Sequence, residues 1–338
     1  MQIQPILQKL VNKQDLNVNE MRTVMHAMMA GDLTDAQVAG LLIALRCKGE
    51  SIEEIATAVS VMRELVKPVV VHGEHVIDTC GTGGDGANTF NISTAAAFVV
   101  AAAGGKVAKH GNRSVSSHCG SADLLETAGV NLDMSAEKVA NCINEVGLGF
   151  LFAAKHHSAV RHTVGPRKEM GVRTLFNLIG PLANPAQALH QLVGVFDSLW
   201  LVPVAEVLKK LGSRHVLVVH AEDGLDEISI AAPTLVAELK NGEISTYSVI
   251  PEQFGLQRNS LQSLAVNNAL SSLEIIKGVL DNQPGPARDI VVLNAGAAIY
   301  AADLCETMLE GVNKAAELIA NGAAKQKFQA LIDYSQSN

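Results

Sequence analysis

The chain has 338 residues, more than one domain of ordinary size holds, so two domains or one large domain with an appendage are expected. It is 48% hydrophobic but only 4% aromatic, which calls for a large core packed from Ala, Val and Leu. A net charge of −8 and a pI near 5.8 argue against a nucleic-acid surface, which needs a basic stripe; local basic clusters have to serve something small.

Five cysteines (Cys47, Cys80, Cys119, Cys142, Cys305) are scattered, odd in number and without a CxxC pair, as expected of reduced thiols in a cytoplasmic protein. The opening MQIQPILQKLVNKQD has no charged region followed by an apolar one, so no signal peptide is read. The apolar run from Ala95 to Ala103 is too short to span a membrane, and a soluble protein is expected.

In chain order, Ile3 to Lys67 reads as helical throughout. Ile3, Ile6, Leu7, Leu10 and Val11 share one face, and three capping boxes follow: Asn17 with Glu20, Thr34 with Gln37, Ser51 with Glu54. Gly31 and Gly49 stand at stop positions and Pro68 closes the series. Met21, Met25, Met28 and Met29 with Val24 form an apolar stripe suited to a helix–helix core or a dimer interface.

From Val69 the pattern alternates. Strands are expected at Val76–Asp78, Lys106–Ala108, Leu192–Val195, His215–His220 and Ile290–Asn294, with a hairpin from Leu235 to Val249. Helices are expected to start near Ser93, Ser121, Ser135, Ser198 and Ser271. Such alternation gives an α/β fold: a mostly parallel central sheet with helices on both faces. The segment from His156 to Pro185, rich in His, Arg, Gly and Pro, breaks the alternation, with an amphipathic piece around Val172 to Leu178.

The chemistry concentrates in Val76 to Arg113. A short apolar run ends in Asp78, a loop with Gly81, Gly83, Gly84 and Gly86 follows, and a helix opens at Ser93 and Thr94. Inward-turned amides, hydroxyls and the positive end of a helix make an anion site. The spacing fits neither the dinucleotide fingerprint nor a Walker loop. Lys109, His110, Asn112 and Arg113 follow the next strand, and the loop Glu222 to Glu227 falls at the same carboxyl edge of the sheet, where ligands of such folds bind. Its adjacent carboxylates, Asp226 and Glu227, fit either a solvated acidic turn or a magnesium site. His110, His156 and His157 show no metal-ligand spacing.

GTGGDG, NIST and KHGNRSVSSHCGSADLLETAG, extended by RKEMGVRTLFNLIGPLANP and DGLDEIS, resemble the anthranilate phosphoribosyltransferase family over nearly the whole chain. The first three motifs are also similar to those of pyrimidine nucleoside phosphorylases, and the later two discriminate. The resemblance implies a class II nucleoside phosphorylase-like fold. A small all-helical domain (1–68, joined by roughly 160–185) would mediate a homodimer, a 69–338 α/β domain would bind the phosphoribosyl donor, and the active site would lie in the cleft between them. It implies transfer of the 5-phosphoribosyl group of phosphoribosyl pyrophosphate to the amine of anthranilate. This is the second step from chorismate to tryptophan, and two Mg2+ ions per subunit would assist it.

Residue by residue, the likeness gives the donor Gly81, Gly84, Asp85, Thr89, Asn91, Ser93, Thr94, Lys109 and Ser121, and the metals Ser93, Asp226 and Glu227. It gives anthranilate Gly81, Asn112 and Arg167, the guanidinium facing the ortho carboxylate; Arg113, Arg161 and Arg173 remain alternatives. No general base is implied, because an aniline nitrogen is already unprotonated at neutral pH, and the histidines are read as orienting residues. Ala154 and Ser158 stand where many members carry Pro. A phosphorylase and a non-catalytic nucleic-acid-binding relative are the competing functions.

Overall fold

The computed structural model describes residues 2–113 and 119–337. The chain opens with four helices, α1 (Gln4–Val11), α2 (Val18–Ala30), α3 (Asp35–Lys48) and α4 (Ile52–Leu65). All three capping boxes form: Asn17, Thr34 and Ser51 accept the backbone N–H three residues on and receive the Glu or Gln there in return. Gly31, at φ +82°, ends α2 in the left-handed region where a Cβ is unfavourable. Met21, Val24, Met25, Met28 and Met29 are all buried inside the single chain. The methionine stripe is thus core, and the alternative of a dimer face made from it falls away.

The α/β part continues with β1 (Val76–Thr79), α5 (Ile92–Ala102), β2 (Lys106–Gly111), α6 (Ser121–Thr127), α7 (Ala136–Val146) and β3 (Leu148–Phe152). Next come α8 (Ala153–His156), α9 (Arg161–Met170) and α10 (Leu175–Ile179), then β4 (His190–Gly194), α11 (Leu201–Lys210), β5 (His215–Ala221), β6 (Thr234–Lys240) and β7 (Glu243–Val249). Four helices finish the chain: α12 (Ala269–Leu280), α13 (Pro286–Ala301), α14 (Met308–Ala320) and α15 (Ala323–Gln336). None of the helices among the described residues is long and apolar enough to cross a membrane.

The seven strands form one sheet in the order β3-β2-β1-β4-β5-β6-β7. The first five are parallel and β6 and β7 add an antiparallel hairpin. Burial alternates with the pleat. Ile77, Leu192, Leu217 and Val219 face the core under α5 and α13, while Val193, Val216 and Val218 face the core shared with α2, α3, α4 and α11. Segments α9 and α10 pack on the first bundle, α9 against α2 and α3, α10 against α3 and α4.

Two expectations need correction. Ile290–Asn294 is not a strand but the interior of α13, in which eleven residues from Ile290 to Ala301 are buried. A helix enclosed on all sides carries no amphipathic period, so its apolar run imitates a buried strand. The strand Leu148–Phe152 was not expected; it pairs in parallel with β2, Val107 beside Leu148 and Gly111 beside Phe152. Its short run LGFLF follows Gly147, the left-handed stop of α7, and is too short and too evenly buried to show the alternation of a half-exposed strand.

Candidate active site

The sheet reverses its winding at β1, which lies between β2 and β4, so the loops after β1 and β4 leave in diverging directions and open a crevice. The loop after β1 is tied first to β4: Cys80 N donates to Leu192 O at 3.2 Å and Thr82 N to Gly194 O at 2.9 Å. Gly83, Gly84 and Gly86 then take positive φ (67°, 79° and 75°), which turns successive amides toward one side.

The loop after β5 meets it there. Gly83 N donates to Asp226 Oδ2 at 2.7 Å, and a Cβ on Gly81 would lie 2.4 Å from that same oxygen. Glu227 Oε1 accepts from Ser93 N, in the first turn of α5, at 3.2 Å. The carboxylates thus sit on the phosphate-type loop and on the positive end of a helix. Sequence reading missed what holds them. Asn294 of α13 brackets Ile228, accepting its N–H and donating to its C=O, each at 2.9 Å. Gly194 leaves room for the chain, since a Cβ there would fall 1.5 Å from Asp226 O. A lone Asn in the run VVLNAGAA was the available signal.

Asp226 and Glu227 keep partial solvent contact but are enclosed by protein on most sides. Burial first, then the charge of Asp85 on Asp226 and that of Asp226 on Glu227, hold both well above the ordinary carboxylate range. Among the described residues neither forms an ion pair closer than 4 Å with a side-chain cation. Three crowded carboxylates with a hydroxyl nearby form a hard-oxygen donor set, which suits a hard divalent cation such as Mg2+.

Lys109 extends from β2 beneath this group and is buried, donating to Thr79 O and to Ser93 Oγ at 3.3 Å. Thr94, also buried, has a hydroxyl with no partner among the described residues, an orphan at the start of α5 where an anion would dock. Asn91 is fixed by Ser272 Oγ, which donates to its Oδ1 at 2.8 Å, and by its own donation to Cys119 O at 3.2 Å. Thr89 pairs with Ala265, and Ala87 N donates to Asp85 Oδ1 at 3.1 Å. Ser121 opens α6, its hydroxyl 3.4 Å from Asn112 O. The stretch Ser114 to His118 of the KHGNRSVSSHCG motif lies outside the described residues.

The arginines separate. Arg113 is committed to Asp123 and Glu126, at 2.9 and 2.7 Å, and lies over Phe152; Arg161 donates to the neighbouring His162. Arg167, on α9, lies over Phe176 with 5.1 Å to the ring centroid and among the described residues has no carboxylate partner; burial lowers its pKa. A half-buried guanidinium without a counter-ion is available to a carboxylate. Among the described residues no hydrogen bond joins it to Asn112, whose Oδ1 accepts from Arg113 N.

A second group, the buried Asp78 and His110 with the partly buried Cys80, has potential ligand atoms within 4.8 Å of one another. It is closed by the protein itself. Asp78 accepts from His110 N at 3.0 Å and from Asn184 at 2.7 Å, and burial drives the Cys80 thiol far above its thiolate range. His110 Nε2 faces His157 Nε2 at 3.2 Å, and burial keeps His110 well below its usual pKa and His157 at about 4. A folded pKa below the free value means a neutral ring. The stability it gives is complete above pH 6.5 and lost as pH falls toward 4. Between pH 6.5 and 5 the wild type is expected to lose about 2 kcal/mol on account of His157, and His157→Gln that much less; urea unfolding at the two pH values measures the difference.

Family models match both parts of the chain: a glycosyl transferase family helical bundle domain at residues 4–66 and a glycosyl transferase family a/b domain at residues 73–325. The chain is 58% identical over 336 residues to anthranilate phosphoribosyltransferase of Methylococcus capsulatus, covering 99% of this chain and 98% of that one. The Thioalkalivibrio sulfidiphilus enzyme of the same name is 58% identical over 337 residues, with both chains covered fully. The crystal structure of the Thermus thermophilus anthranilate phosphoribosyltransferase superposes with a TM-score of 0.93 at 42% identity, over 98% of this chain and 99% of that one. The Saccharomyces cerevisiae enzyme in complex with PRPP and Mg gives 0.89 at 26% identity, over 98% and 97%. With the full length accounted for in both sequence and fold, the chain belongs to the anthranilate phosphoribosyltransferase family.

Proposed function

We propose that the chain transfers the 5-phosphoribosyl group of phosphoribosyl pyrophosphate to the amine of anthranilate, giving N-(5-phosphoribosyl)anthranilate and pyrophosphate, the second step from chorismate to tryptophan. The observation that carries this reading is the meeting of Asp226 and Glu227 with the Gly81–Gly86 loop and the first turn of α5. The relatives of that name and the yeast complexes, one with PRPP and Mg and one with 4-fluoroanthranilate, support it.

The reaction breaks the C1–pyrophosphate bond and forms a C1–nitrogen bond through a cation-like ribose. The protein's work is therefore to hold charge and geometry. Gly81, Gly84, Asp85, Thr89, Asn91, Ser93, Thr94, Lys109 and Ser121 bind the donor, backbone amides and the α5 terminus facing its phosphates. Asp226 and Glu227 hold Mg2+, with Ser93 toward a second ion, two per subunit. The metal, when bound, neutralises the leaving pyrophosphate. Arg167 and Asn112, together with Gly81, orient anthranilate by its carboxylate, and no side chain has to remove a proton before attack. Residues 1–68 with roughly 160–185 form the helical domain and 69–338 the donor domain, in a cytoplasmic homodimer. The net charge and the acidic pair speak for small-molecule substrates and against a nucleic acid.

Loss of anthranilate fluorescence on mixing protein, anthranilate, phosphoribosyl pyrophosphate and Mg2+, each omitted in turn, tests the reading. Dependence on all of them supports it; persistent fluorescence together with phosphorolysis of thymidine or uridine moves the chain to the phosphorylases. In the same assay Gly194→Ala is expected to be nearly inactive, because its Cβ displaces Asp226, and to unfold about 1–3 kcal/mol more easily.

A further inference from the structure

Arg173 is half-buried among the described residues, has no carboxylate partner, and lies just before α10. It was an open candidate for the acceptor's carboxylate, yet its contacts all lead to the donor loop. Its Nη2 donates to Gly84 O, and its guanidinium lies over Phe196 with 4.0 Å to the ring centroid. Phe196 is held to the same loop, its N–H donating to Thr82 Oγ1 at 3.0 Å. The closed circuit Arg173–Gly84–Thr82–Phe196 spans the glycine loop, the turn after β4, and the start of a helix packed on α3 and α4. The Gly84 peptide, at φ +79°, has no side chain to brace it, and a Cβ would meet the guanidinium 2.1 Å away.

We propose that Arg173 is a positioning residue for the phosphoribosyl donor. It struts the Gly81–Gly86 loop against the helical bundle, so that the loop's amides are set toward phosphate before the donor arrives. A planar fork that stacks and donates at once is needed for this; an ammonium supplies charge without the geometry. The inference rests on the proposed transferase reading for its substrate, though not for its anion.

The test is the kinetics of Arg173→Ala, Arg173→Lys and Phe196→Leu, with calorimetric titration of pyrophosphate plus Mg2+. Arg173→Ala is expected to raise KM for phosphoribosyl pyrophosphate roughly 10- to 100-fold while KM for anthranilate stays within about twofold. Arg173→Lys should recover only part of the loss, and Phe196→Leu should show the same pattern more weakly. A rise in the anthranilate KM instead, or unchanged constants for both substrates in folded Arg173→Lys, overturns the proposal. If wild type shows no transfer at all, the transferase reading fails. Weakened pyrophosphate binding in the Arg173 variants would then still support the strut, and unchanged binding would still overturn it.

Discussion

The double variant Asp226→Asn, Glu227→Gln is expected to lose roughly 10²–10³-fold in kcat/KM, with a magnesium titration that no longer saturates in the wild-type range. Both amides fit the space, and the side-chain amide oxygen at position 226 would still accept from Gly83 N, so the loop should survive. What disappears is negative charge the fold concentrates at some cost: the two carboxylates are held above their usual pKa by burial, Asp226 also by Asp85 and Glu227 also by Asp226. Without metal the double variant should therefore melt no lower than wild type, and a higher midpoint would reflect the relieved repulsion. Lost activity with a retained or raised melting point identifies the pair as metal ligands. An unchanged magnesium titration returns it to an acidic turn.

The second large effect is at the acceptor. Arg167→Ala is expected to raise KM for anthranilate about 100-fold and leave KM for the phosphoribosyl donor within about twofold, because a buried guanidinium–carboxylate fork is worth a few kcal/mol. The guanidinium lies over Phe176 and has no counter-ion among the described residues, so removing it strands no carboxylate there and should leave the fold intact. Steady-state rates with each substrate varied separately measure the split. Equal effects on both substrates would take Arg167 out of the acceptor site.

Much of this was legible in the residues, for identifiable reasons. Capping boxes are local, so Asn17, Thr34 and Ser51 marked their helices correctly. The glycine loop followed by Ser93 and Thr94 is a local pattern too, and the structure adds the orphaned Thr94 hydroxyl at that helix start. Sorting the arginines was out of reach, because it depends on partners in other elements: Asp123 and Glu126 of α6 occupy Arg113, whereas Gly84 and Phe196 occupy Arg173. The support of the acidic loop was equally hidden. Asn294 lies 66 positions from Ile228, in a helix whose all-round burial disguised it as a strand. Gly194 showed no turn signal, since its role is to leave space for Asp226 O and not to bend the chain.

Magnesium-dependent binding of the donor tests the central claim most directly. Calorimetric titration of phosphoribosyl pyrophosphate into wild type, with Mg2+ and with a chelator, and into the Asp226→Asn, Glu227→Gln variant, should show binding strengthened by Mg2+ in wild type alone. Equal binding with and without Mg2+, or equal strengthening in the variant, would contradict an acidic pair that holds the metal against the glycine loop.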